Sequence, residues 1–364
     1  MKLVLISGKT GGHLYPACSV AEAWEKDSPD NDVVFFVTKS GYEKDILKKK
    51  GFKYYELPGR SRSGTKWRRV LISLFEIFAS FKEARRLFKK IRPDVVLGFG
   101  SYISAGPSLA ARSMGIAAII HESNIVPGIA NKYISFFARA VTVGFEPAKR
   151  MFSCKKTFIT GVPVRKQPQG EEVRDFYRKY CLKDSLPIVL ILGGSQGAKK
   201  INQVCLDTFS DAKSLNDKFQ IIHVSGNDIT QGEELNINNY KRILYLDDVP
   251  TAMAASQIYL GRAGASTLSE LTCASLPAIL VPFPYATESH QLENARFFEE
   301  KGAAVIIEEE RLNKATVLFH IKQLIENEDL RKSMKMAMKS IARPDAAMNV
   351  VNIIKDQIIK NYRK

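Results

Sequence analysis

Residues 261–291 read GRAGASTLSELTCASLPAILVPFPYATESHQ. A largely apolar run at 257–260 precedes them and predicts a buried strand. A turn of small residues follows at 262–267, and a helix through 268–273 leads into a second apolar strand at 277–282. The stretch is therefore a strand, a tight turn, a helix and a strand, which is the repeating unit of a doubly wound α/β fold.

Two features of this unit suit an anionic or polar ligand. Ser266 or Thr267 is expected to cap the helix, whose free backbone N–H groups then form a seat for an anion. Glu270 is expected in the first turn, where its carboxylate could accept hydrogen bonds from a diol, and His290 and Gln291 are expected on a polar loop after the second strand. An ordinary structural βαβ unit explains the same pattern, so this stretch alone leaves the ligand open.

Each half of the chain opens with a strand, a glycine-rich loop and a helix. Residues 3–6 are followed by the loop SGKTGGH at 7–13, and residues 188–192 by GGSQGA at 193–198. The first loop matches neither the P-loop nor the G-x-G-x-x-G pattern. A stretch rich in Pro, Gln and Gly at 166–170 separates the halves. The sequence therefore predicts an α/β protein of two doubly wound Rossmann-like domains that face one another across a cleft.

His13 lies at the start of the first predicted helix. The helix dipole disfavours a positive charge at that position, so the imidazole is expected to be neutral, as a general base must be. Thr10, Gly11 and Gly12 would offer backbone donors beside it. A histidine that only caps or packs against the helix explains the pattern equally well.

Composition narrows the class of protein. A chain of 364 residues that is 45% hydrophobic and 25% charged predicts two globular domains. Its net charge of +16 indicates an anionic partner, such as nucleic acid, an anionic membrane or a phosphorylated substrate. The five scattered cysteines suit a reducing compartment and argue against a disulfide framework or a zinc site. With no secretory signal and no run near the roughly 18 apolar residues of a membrane span, we expect a cytoplasmic protein, soluble or peripheral.

The segment 60–92 is the most basic part of the chain, with eleven Lys and Arg residues against two Glu. Aromatic residues are interleaved with these charges, and an apolar stripe recurs at helical spacing. Its members are Leu71, Leu74, Phe75, Phe78 and Phe81. Such a stripe could face the core or an anionic bilayer, and we expect membrane contact by part of it. Nucleic acid would also suit the charge, but no RNP, helix-turn-helix or zinc-finger pattern supports it.

Polar residues flank two predicted strands. HESN at 121–124 follows the strand 117–120 at its carboxyl end, where α/β sheets bind ligands. Asp30 and Asp32 form a D-x-D, a pattern that binds metal and nucleotide in some glycosyltransferases. This pair precedes the strand 33–37, so we expect a solvated turn there and no metal site.

Several motifs occur in the order of a known family and cover nearly the whole chain. They are TGGH at 10–13, HESN at 121–124, GVPVR at 161–165, GGSQGA at 193–198, and RAGAST at 262–267 with Glu270 and His290-Gln291. In combination they resemble the lipid-linked N-acetylglucosamine transferases of bacterial peptidoglycan synthesis. Lys9 and Ser123 depart from the family pattern, which usually has Gly and Gln at these positions. Lys9 would add a positive charge where the acceptor's pyrophosphate is expected to bind. Ser123 leaves the role of the turn at 121–124 open.

The resemblance implies the GT-B fold, with an acceptor- and membrane-associating domain at 1–163 and a UDP-GlcNAc-binding domain at 164–342. A C-terminal helix at about 343–364 would pack back on the first domain. The implied enzyme is an inverting hexosyltransferase that moves GlcNAc from UDP-GlcNAc to the C4 hydroxyl of MurNAc in undecaprenyl-pyrophosphoryl-MurNAc-pentapeptide (lipid I), giving lipid II. It would be peripheral on the cytoplasmic side of the inner membrane. It would bind no nucleic acid and require no cofactor, with stimulation by a divalent metal left open.

The resemblance also assigns roles by position. His13 would be the general base. Ser195 and adjacent amides would hold the diphosphate, and Glu270 would bind the ribose diol. Leu246 would contact the uracil through its backbone, and Gln291 would contact the sugar. The full set expected to bind substrate is Thr10, Gly11, Gly12, Asn124, Arg165, Ser195, Leu246, Ala265, Ser266, Thr267, Leu268, Ser269, Glu270 and Gln291. Three alternatives remain: a UDP-GlcNAc epimerase, a glycolipid synthase that uses diacylglycerol, and a non-catalytic basic protein that binds membrane or RNA.

Overall fold

Two seven-stranded sheets organise the chain in the computed structural model. The structure describes residues 1–8, 11–38, 41–58, 66–100, 102–168, 170–193, 198–209, 218–226, 235–237, 239–286 and 289–362. The chain divides into two units, one formed by residues 1–164 with 343–364 and the other by residues 165–342. Each sheet belongs to one unit, so the predicted pair of doubly wound α/β domains is confirmed.

The first sheet is parallel throughout, and its strands run in the order β3-β2-β1-β4-β5-β6-β7. Its register is fixed at the centre, where Leu3 of β1 lies opposite Val33 on one side and Val95 on the other. The strands are β1 (Lys2–Ile6), β2 (Asp32–Val37), β3 (Lys53–Glu56), β4 (Val95–Gly98), β5 (Ala117–Glu122), β6 (Ala140–Val143) and β7 (Thr157–Ile159).

Helices cover both faces of this sheet, which explains why its central strands β1 and β4 are apolar at every position after Lys2. Leu3 and Leu5 of β1 join the core cluster under the first and last helices, while Val4 and Ile6 join the cluster on the opposite face. The helices are α1 (Gly11–Asp27), α2 (Gly41–Lys49), α3 (Lys66–Ile91), α4 (Ala105–Ser113), α5 (Ile129–Ser135), α6 (Glu146–Lys149) and, from the chain's end, α14 (Ala346–Tyr362).

Two glycines permit close packing in the first unit. A Cβ on Gly106 of α4 would lie 2.1 Å from Ser80 Oγ of α3, so these helices cross where no side chain fits. Gly161 has a φ of +85°, and a Cβ there would lie 2.4 Å from Cβ of Arg343, just before α14. Helix α14 packs against α1, where Lys355 Nζ lies 3.0 Å from the Asp27 carboxylate.

The second sheet has the order β10-β11-β9-β8-β12-β13-β14, and every pair is parallel except the edge pair β10–β11. Its strands are β8 (Ile188–Leu192), β9 (Gln220–Val224), β10 (Leu235–Ile237), β11 (Tyr240–Ile243), β12 (Ile258–Gly261), β13 (Ala278–Leu280) and β14 (Ala304–Ile306). Its helices are α7 (Gly170–Lys179), α8 (Lys199–Phe209), α9 (Val249–Ala255), α10 (Ala265–Cys273), α11 (His290–Glu300), α12 (Lys314–Glu326) and α13 (Glu328–Ile341).

Candidate active site

The first sheet changes its winding direction between β1 and β4, which are neighbours although β2 and β3 lie between them in sequence. The loops at the carboxyl ends of two such strands diverge and leave a crevice. Helix α1 begins at this edge, so the predicted residues Gly11, Gly12 and His13 are its first three residues. Thr10, predicted beside them, lies outside the described residues.

The imidazole of His13 is half-buried, and its Nδ1 is fully enclosed. Burial lowers the pKa of His13 from 6.5 to about 4, against the smaller opposing effect of a hydrogen bond with the Phe99 backbone. Gly100 lies beside the ring: its φ is +78°, and a Cβ there would be 3.6 Å from His13 Cε1. His13 is therefore neutral at neutral pH, as the sequence predicted for a general base, and burial is the largest cause of the shift in its pKa.

A second imidazole, that of His121, lies at the end of β5 and is fully buried. Its Nδ1 is 3.0 Å from Thr142 Oγ1, a hydroxyl that also lies 3.3 Å from the Ile120 carbonyl oxygen. Burial, with the nearby His13, lowers the pKa of His121 to about 3. The proximity of His13 thus adds to burial in disfavouring a charge on His121.

Glu122, the last residue of β5, organises the loop that follows it. Its carboxylate is only 3% exposed and accepts four hydrogen bonds: from the Asn124 backbone N–H (2.9 Å) and side-chain amide (3.2 Å), the Gly128 N–H (3.1 Å) and the Asn131 amide (2.8 Å). The predicted site residue Asn124 is oriented by these bonds. Glu122 was not predicted as a site residue, although a carboxylate directly after a buried strand was the available signal.

The second sheet has an equivalent crevice between β8 and β12. Gly193 follows β8, and its N–H donates to the Val224 carbonyl at 3.3 Å. Ser195, predicted to hold a diphosphate, lies outside the described residues. Gly261 ends β12 without room for a side chain, because a Cβ there would lie 2.3 Å from the Leu192 carbonyl oxygen.

Helix α10 begins at this crevice, and its start differs from the prediction. Gly264, in extended conformation (φ −71°, ψ 135°), is the N-cap, and no side chain caps the helix. The expectation that Ser266 or Thr267 is the cap is wrong, because both lie inside the first turn. The other predicted residues of this run, also on α10, are Ala265, Leu268 and Ser269. The backbone N–H groups of a first turn lack intrahelical acceptors, so an uncapped start is suited to an anion.

Glu270 lies in the second turn of α10, so the prediction that it lies in the first turn is wrong. Its carboxylate is bound by Arg165 through two hydrogen bonds, Nε to Oε1 at 2.6 Å and Nη2 to Oε2 at 2.8 Å. The Glu270 side chain is 8% exposed and the Arg165 side chain 20% exposed. Both residues were predicted to bind the donor, and the structure brings them together as a largely desolvated, bidentate ion pair.

Gln291 and His290 start helix α11, so the prediction of a polar loop at these two positions is wrong. Gln291 Oε1 accepts a hydrogen bond from the Phe283 N–H at 3.0 Å, which ties the helix start to the segment after β13. Leu246 lies between β11 and α9 and is 6% exposed.

Arg262 was quoted in the sequence motif but was not predicted as a site residue. Its Nη1 donates to the Val281 carbonyl at 3.1 Å, its Nη2 pairs with Glu309, and its guanidinium lies 5.2 Å from the centre of the Phe283 ring. These contacts fix the turn before α10 to the segment after β13. Arg262 therefore stabilises the position of the turn at the crevice.

A buried polar network lies at the ends of β9 and β11. His223 Nδ1 is 2.7 Å from the Tyr240 hydroxyl, and His223 Nε2 is 3.0 Å from Asn202 Oδ1 on α8. Asn202 Nδ2 donates to the Ser225 carbonyl at 2.8 Å. Burial, with a contribution from the charge of Arg242, lowers the pKa of His223 to about 3. The network ties the start of α8 to the carboxyl edge of the sheet.

Among the described residues, no group of three or more His, Cys, Asp or Glu side chains is arranged to hold a metal ion. The D-x-D acids lie at the amino end of β2, where Asp32 is 3.9 Å from both Lys2 and Lys53. In the described part of the chain, no helix is long and apolar enough to cross a membrane.

The predicted apolar stripe of helix α3 is exposed at some positions and packed against the core at another. Phe75 and Phe78 are 72% and 54% exposed, whereas Phe81 packs against the core with Phe88. The side chains of Leu71 and Leu74 lie outside the described residues. The core and surface interpretations of the stripe thus each apply to part of the helix.

Two family models match the chain: the glycosyltransferase family 28 N-terminal domain over residues 3–143 and the family 28 C-terminal domain over residues 188–350. A UDP-N-acetylglucosamine--N-acetylmuramyl-(pentapeptide) pyrophosphoryl-undecaprenol N-acetylglucosamine transferase of Limosilactobacillus reuteri is 33% identical, covering 97% of this chain and 98% of the relative. The transferase of the same name from Desulforamulus reducens is 32% identical with the same coverage.

Among solved structures, the crystal structure of Acinetobacter baumannii MurG superposes with a TM-score of 0.75 at 26% identity, over 98% of this chain and 99% of that one. The GT-B fold and the family resemblance predicted from the motifs are thereby confirmed. The chain belongs to the MurG family of UDP-N-acetylglucosamine--N-acetylmuramyl-(pentapeptide) pyrophosphoryl-undecaprenol N-acetylglucosamine transferases, within glycosyltransferase family 28.

Proposed function

We propose that this protein transfers GlcNAc from UDP-GlcNAc to the C4 hydroxyl of MurNAc in lipid I, undecaprenyl-pyrophosphoryl-MurNAc-pentapeptide, and so makes lipid II. The observation that carries this proposal is the match, at 32–33% identity over 97% of the chain, to transferases whose name describes that reaction. The residues at the two crevices support the proposal, because their chemical groups are of the kinds that such a transfer needs.

The donor is proposed to bind at the second crevice. The uncapped start of α10 offers backbone N–H groups to the diphosphate, and Glu270 offers its carboxylate to the ribose diol. A carboxylate has about four lone-pair positions, so the two hydrogen bonds from Arg165 leave acceptor capacity for the two ribose hydroxyls. Gln291 and the backbone of Leu246 complete the proposed site, and Thr10 and Ser195 join it on the family resemblance alone.

His13 is proposed to be the catalytic base on the acceptor side, with residues 1–163 forming the acceptor-binding domain. Its pKa of about 4 keeps the imidazole neutral at physiological pH. Negatively charged pyrophosphate groups nearby would raise its basicity once both substrates are bound. As the C4 oxygen attacks C1 of GlcNAc from the face opposite UDP, His13 accepts the hydroxyl proton.

The C1–oxygen bond to UDP breaks in the same step, and its electron pair leaves with UDP. A single in-line displacement inverts the anomeric configuration from α to β and needs no covalent enzyme intermediate. The negative charge on the departing diphosphate is stabilised by the N–H groups of the first turn of α10.

We further propose that the protein acts as a peripheral protein at the cytoplasmic face of the inner membrane, where its lipid-linked acceptor would lie. Helix α3 supports this proposal, because it exposes Phe75 and Phe78 among basic residues, and Lys82 Nζ lies 4.4 Å from the centre of the Phe78 ring. Exposed aromatic rings beside cations suit the interface of an anionic bilayer.

The test is UDP release from UDP-GlcNAc, measured with and without a lipid I analogue, with the linkage of the product determined by NMR. Release that depends on the acceptor, with a GlcNAc-β-1,4-MurNAc product, would support the transferase. Absence of release by folded protein in both conditions would contradict it. Appearance of an epimerised UDP-sugar without acceptor would favour the epimerase, and vesicle or RNA binding without any turnover would favour the scaffold.

A further inference from the structure

Strand β12 carries a tyrosine in the middle of the second sheet. Tyr259 is 1% exposed, and its strand lies between β8 and β13. Its neighbours Ile258 and Leu260 pack into the core cluster of the second unit. A phenol buried in this way needs a hydrogen-bond partner, because an unpaired buried hydroxyl is costly. The partner is the backbone carbonyl of Arg262, which accepts the hydroxyl at 3.0 Å.

Gly261 provides the space through which the ring reaches that carbonyl. Residues i and i+2 of a strand lie on the same face, so a side chain at position 261 would point the same way as that of Tyr259. A Cβ on Gly261 would lie 2.5 Å from the Tyr259 hydroxyl oxygen and 2.8 Å from the ring carbon that carries it. The ring therefore runs along the strand, and its hydroxyl ends at the carboxyl edge of the sheet, under the turn that leads into α10.

The hydroxyl is the donor in this bond, since a carbonyl oxygen can only accept. Burial raises the pKa of Tyr259, the positive charge of Arg262 opposes this effect, and the negative charge of Glu270 adds to it. The phenol therefore keeps its proton at neutral pH, and the hydrogen bond to the turn is present there.

Two buried side chains hold the two peptide groups that precede the N-cap of α10. Tyr259 donates to the Arg262 carbonyl, and the Asn294 amide donates to the Ala263 carbonyl at 3.2 Å. Because a trans peptide is planar, its N–H points opposite to its C=O, so each bond also sets the direction of the next residue's N–H. The second of these N–H groups belongs to Gly264, the N-cap itself. The path of the chain into the uncapped helix start is thus fixed from inside the domain.

We propose that Tyr259 is a positioning residue for the diphosphate of the donor. Its hydroxyl holds the peptide between Arg262 and Ala263, and this peptide leads directly into the N–H groups of α10 that are proposed to bind the diphosphate. Tyr259 is enclosed, so it acts through the turn. Glu270, proposed to bind the ribose, is held by Arg165 instead. The inference rests on the proposed function, and it predicts a loss of affinity that is confined to the diphosphate half of the donor.

The test compares UDP with uridine as ligands of the full-length protein. UDP affinity is measured by calorimetry, and uridine affinity by competition with UDP. Tyr259→Phe removes only the hydroxyl and keeps the ring. We expect its affinity for UDP to fall about five- to ten-fold, and its affinity for uridine to stay within about two-fold of the wild type, since a buried carbonyl that loses its donor no longer fixes its peptide.

Tyr177→Phe is the matched control. The Tyr177 hydroxyl also donates to a backbone carbonyl, that of Ala255, at 3.2 Å. Ala255 ends α9, just before the amino end of β12, so this bond lies at the edge of the sheet opposite the crevice. The control should keep both affinities. Equal losses for UDP and uridine in Tyr259→Phe, or no loss for either, would overturn the proposal, because a merely structural hydroxyl would not distinguish the two ligands.

Hydrogen exchange measured by mass spectrometry gives a second readout. Peptides that cover residues 262–270 should exchange faster in Tyr259→Phe than in the wild type or in Tyr177→Phe. A loss of UDP affinity without faster exchange would place the effect outside the turn and would also overturn the proposal. Failure of the wild type to bind UDP would contradict the proposed function and this inference together, whereas equal UDP binding by wild type and Tyr259→Phe would contradict the inference alone.

Discussion

Arg165 and Glu270, 105 positions apart in the chain, form a two-pronged ion pair with N–O distances of 2.6 and 2.8 Å. The pair joins the first residue of the second unit to the helix that starts at its crevice. Since the Glu270 side chain is 8% exposed, the carboxylate is desolvated and its geometry is set by the arginine. This arrangement holds a hydrogen-bond acceptor in a fixed position below the start of α10.

Replacement of Glu270 by Ala should therefore affect both binding and stability. We expect UDP-GlcNAc affinity, measured by calorimetry, to fall at least ten-fold. The free energy of unfolding should fall by about 2 kcal/mol, less than for a fully buried pair because Arg165 is partly solvated. Glu326→Ala, which breaks an exposed pair with Lys218 in the same unit, is the control and should change neither quantity. Unchanged affinity in Glu270→Ala would remove Glu270 from the donor site.

Replacement of His13 by Ala should depress turnover by about 10²–10⁴, the usual contribution of a general base, with donor affinity retained. In the wild type the active form is the neutral imidazole, and burial lowers its pKa to about 4. The kcat/KM, which reports the free enzyme, should hence be constant from pH 8 to about pH 6 and fall as the pH approaches 4. The measurement is steady-state UDP release across this range, together with UDP binding by the variant. Loss of UDP binding in His13→Ala would contradict the assignment as base.

The buried histidines predict a loss of stability in weak acid. The folded pKa of His223 is about 3 and its ordinary value is 6.5, so between these values the unfolded chain binds the extra proton. The stability that His223 contributes is fully present above pH 6.5 and is lost as the pH falls towards 3, which amounts to about 2 kcal/mol at pH 5. Urea unfolding at pH 7 and pH 5 measures this loss.

In His223→Gln, the decrease in unfolding free energy between pH 7 and pH 5 should be smaller by that amount, even if the variant is less stable overall. His320→Gln is the control, because His320 is only partly buried on α12 and should alter the pH dependence less. A wild-type pH dependence in His223→Gln would show that His223 does not stay neutral in the folded protein.

The sequence predicted the central strands well because parallel strands buried on both faces are continuous apolar runs. Strands β3 and β10 were not predicted. β3 reads KYYE and is largely half-exposed, and β10 is three residues long, so neither edge strand carries that signal. The start of α10 was misplaced because the preference for Ser or Thr as N-cap favoured residues 266 and 267, whereas Gly264 already has the extended conformation of a cap.

For the site, residue types at strand ends indicated residues that lie at the carboxyl edges of the two sheets, but the partners of these residues depend on tertiary structure. The Arg165–Glu270 pair joins residues too far apart in sequence for spacing to predict. The role of Glu122 emerges only once Asn124, Gly128 and Asn131 fold around its carboxylate. The neutral state of His13 was predicted from the helix dipole, whereas burial, which no local pattern reveals, lowers its pKa to about 4.

Replacement of Gly100 tests whether the space around His13 is needed for catalysis. In Gly100→Ala, the backbone stays at a φ of +78° and the new Cβ lies 3.2 Å from Asn131 Nδ2 and 3.6 Å from His13 Cε1. We expect a loss of about 1 kcal/mol in stability from the strained backbone and a drop in turnover of about ten-fold, because the Asn131 amide must shift and the space beside the His13 ring is filled. Gly115→Ala is the matched control, since its φ is +73° but its Cβ would meet nothing within 4 Å. Equal turnover in the two variants would mean that the contact at His13 is unimportant.

Replacement of the exposed rings of α3 tests the proposed membrane contact. Phe75 and Phe78 are 72% and 54% exposed, so Phe75→Ser with Phe78→Ser should leave the free energy of unfolding nearly unchanged. If the rings insert into the bilayer interface, vesicle binding should fall at least ten-fold, because burial of one large apolar side chain is worth about 1.5–3 kcal/mol. Sedimentation with phosphatidylglycerol vesicles measures the effect. Phe319→Ser on α12, which removes a ring that is 62% exposed in the second unit, is the control. Equal vesicle binding by the α3 variant, the control and the wild type would exclude Phe75 and Phe78 as the contact, since all three proteins have the same net charge and differ only in their exposed rings.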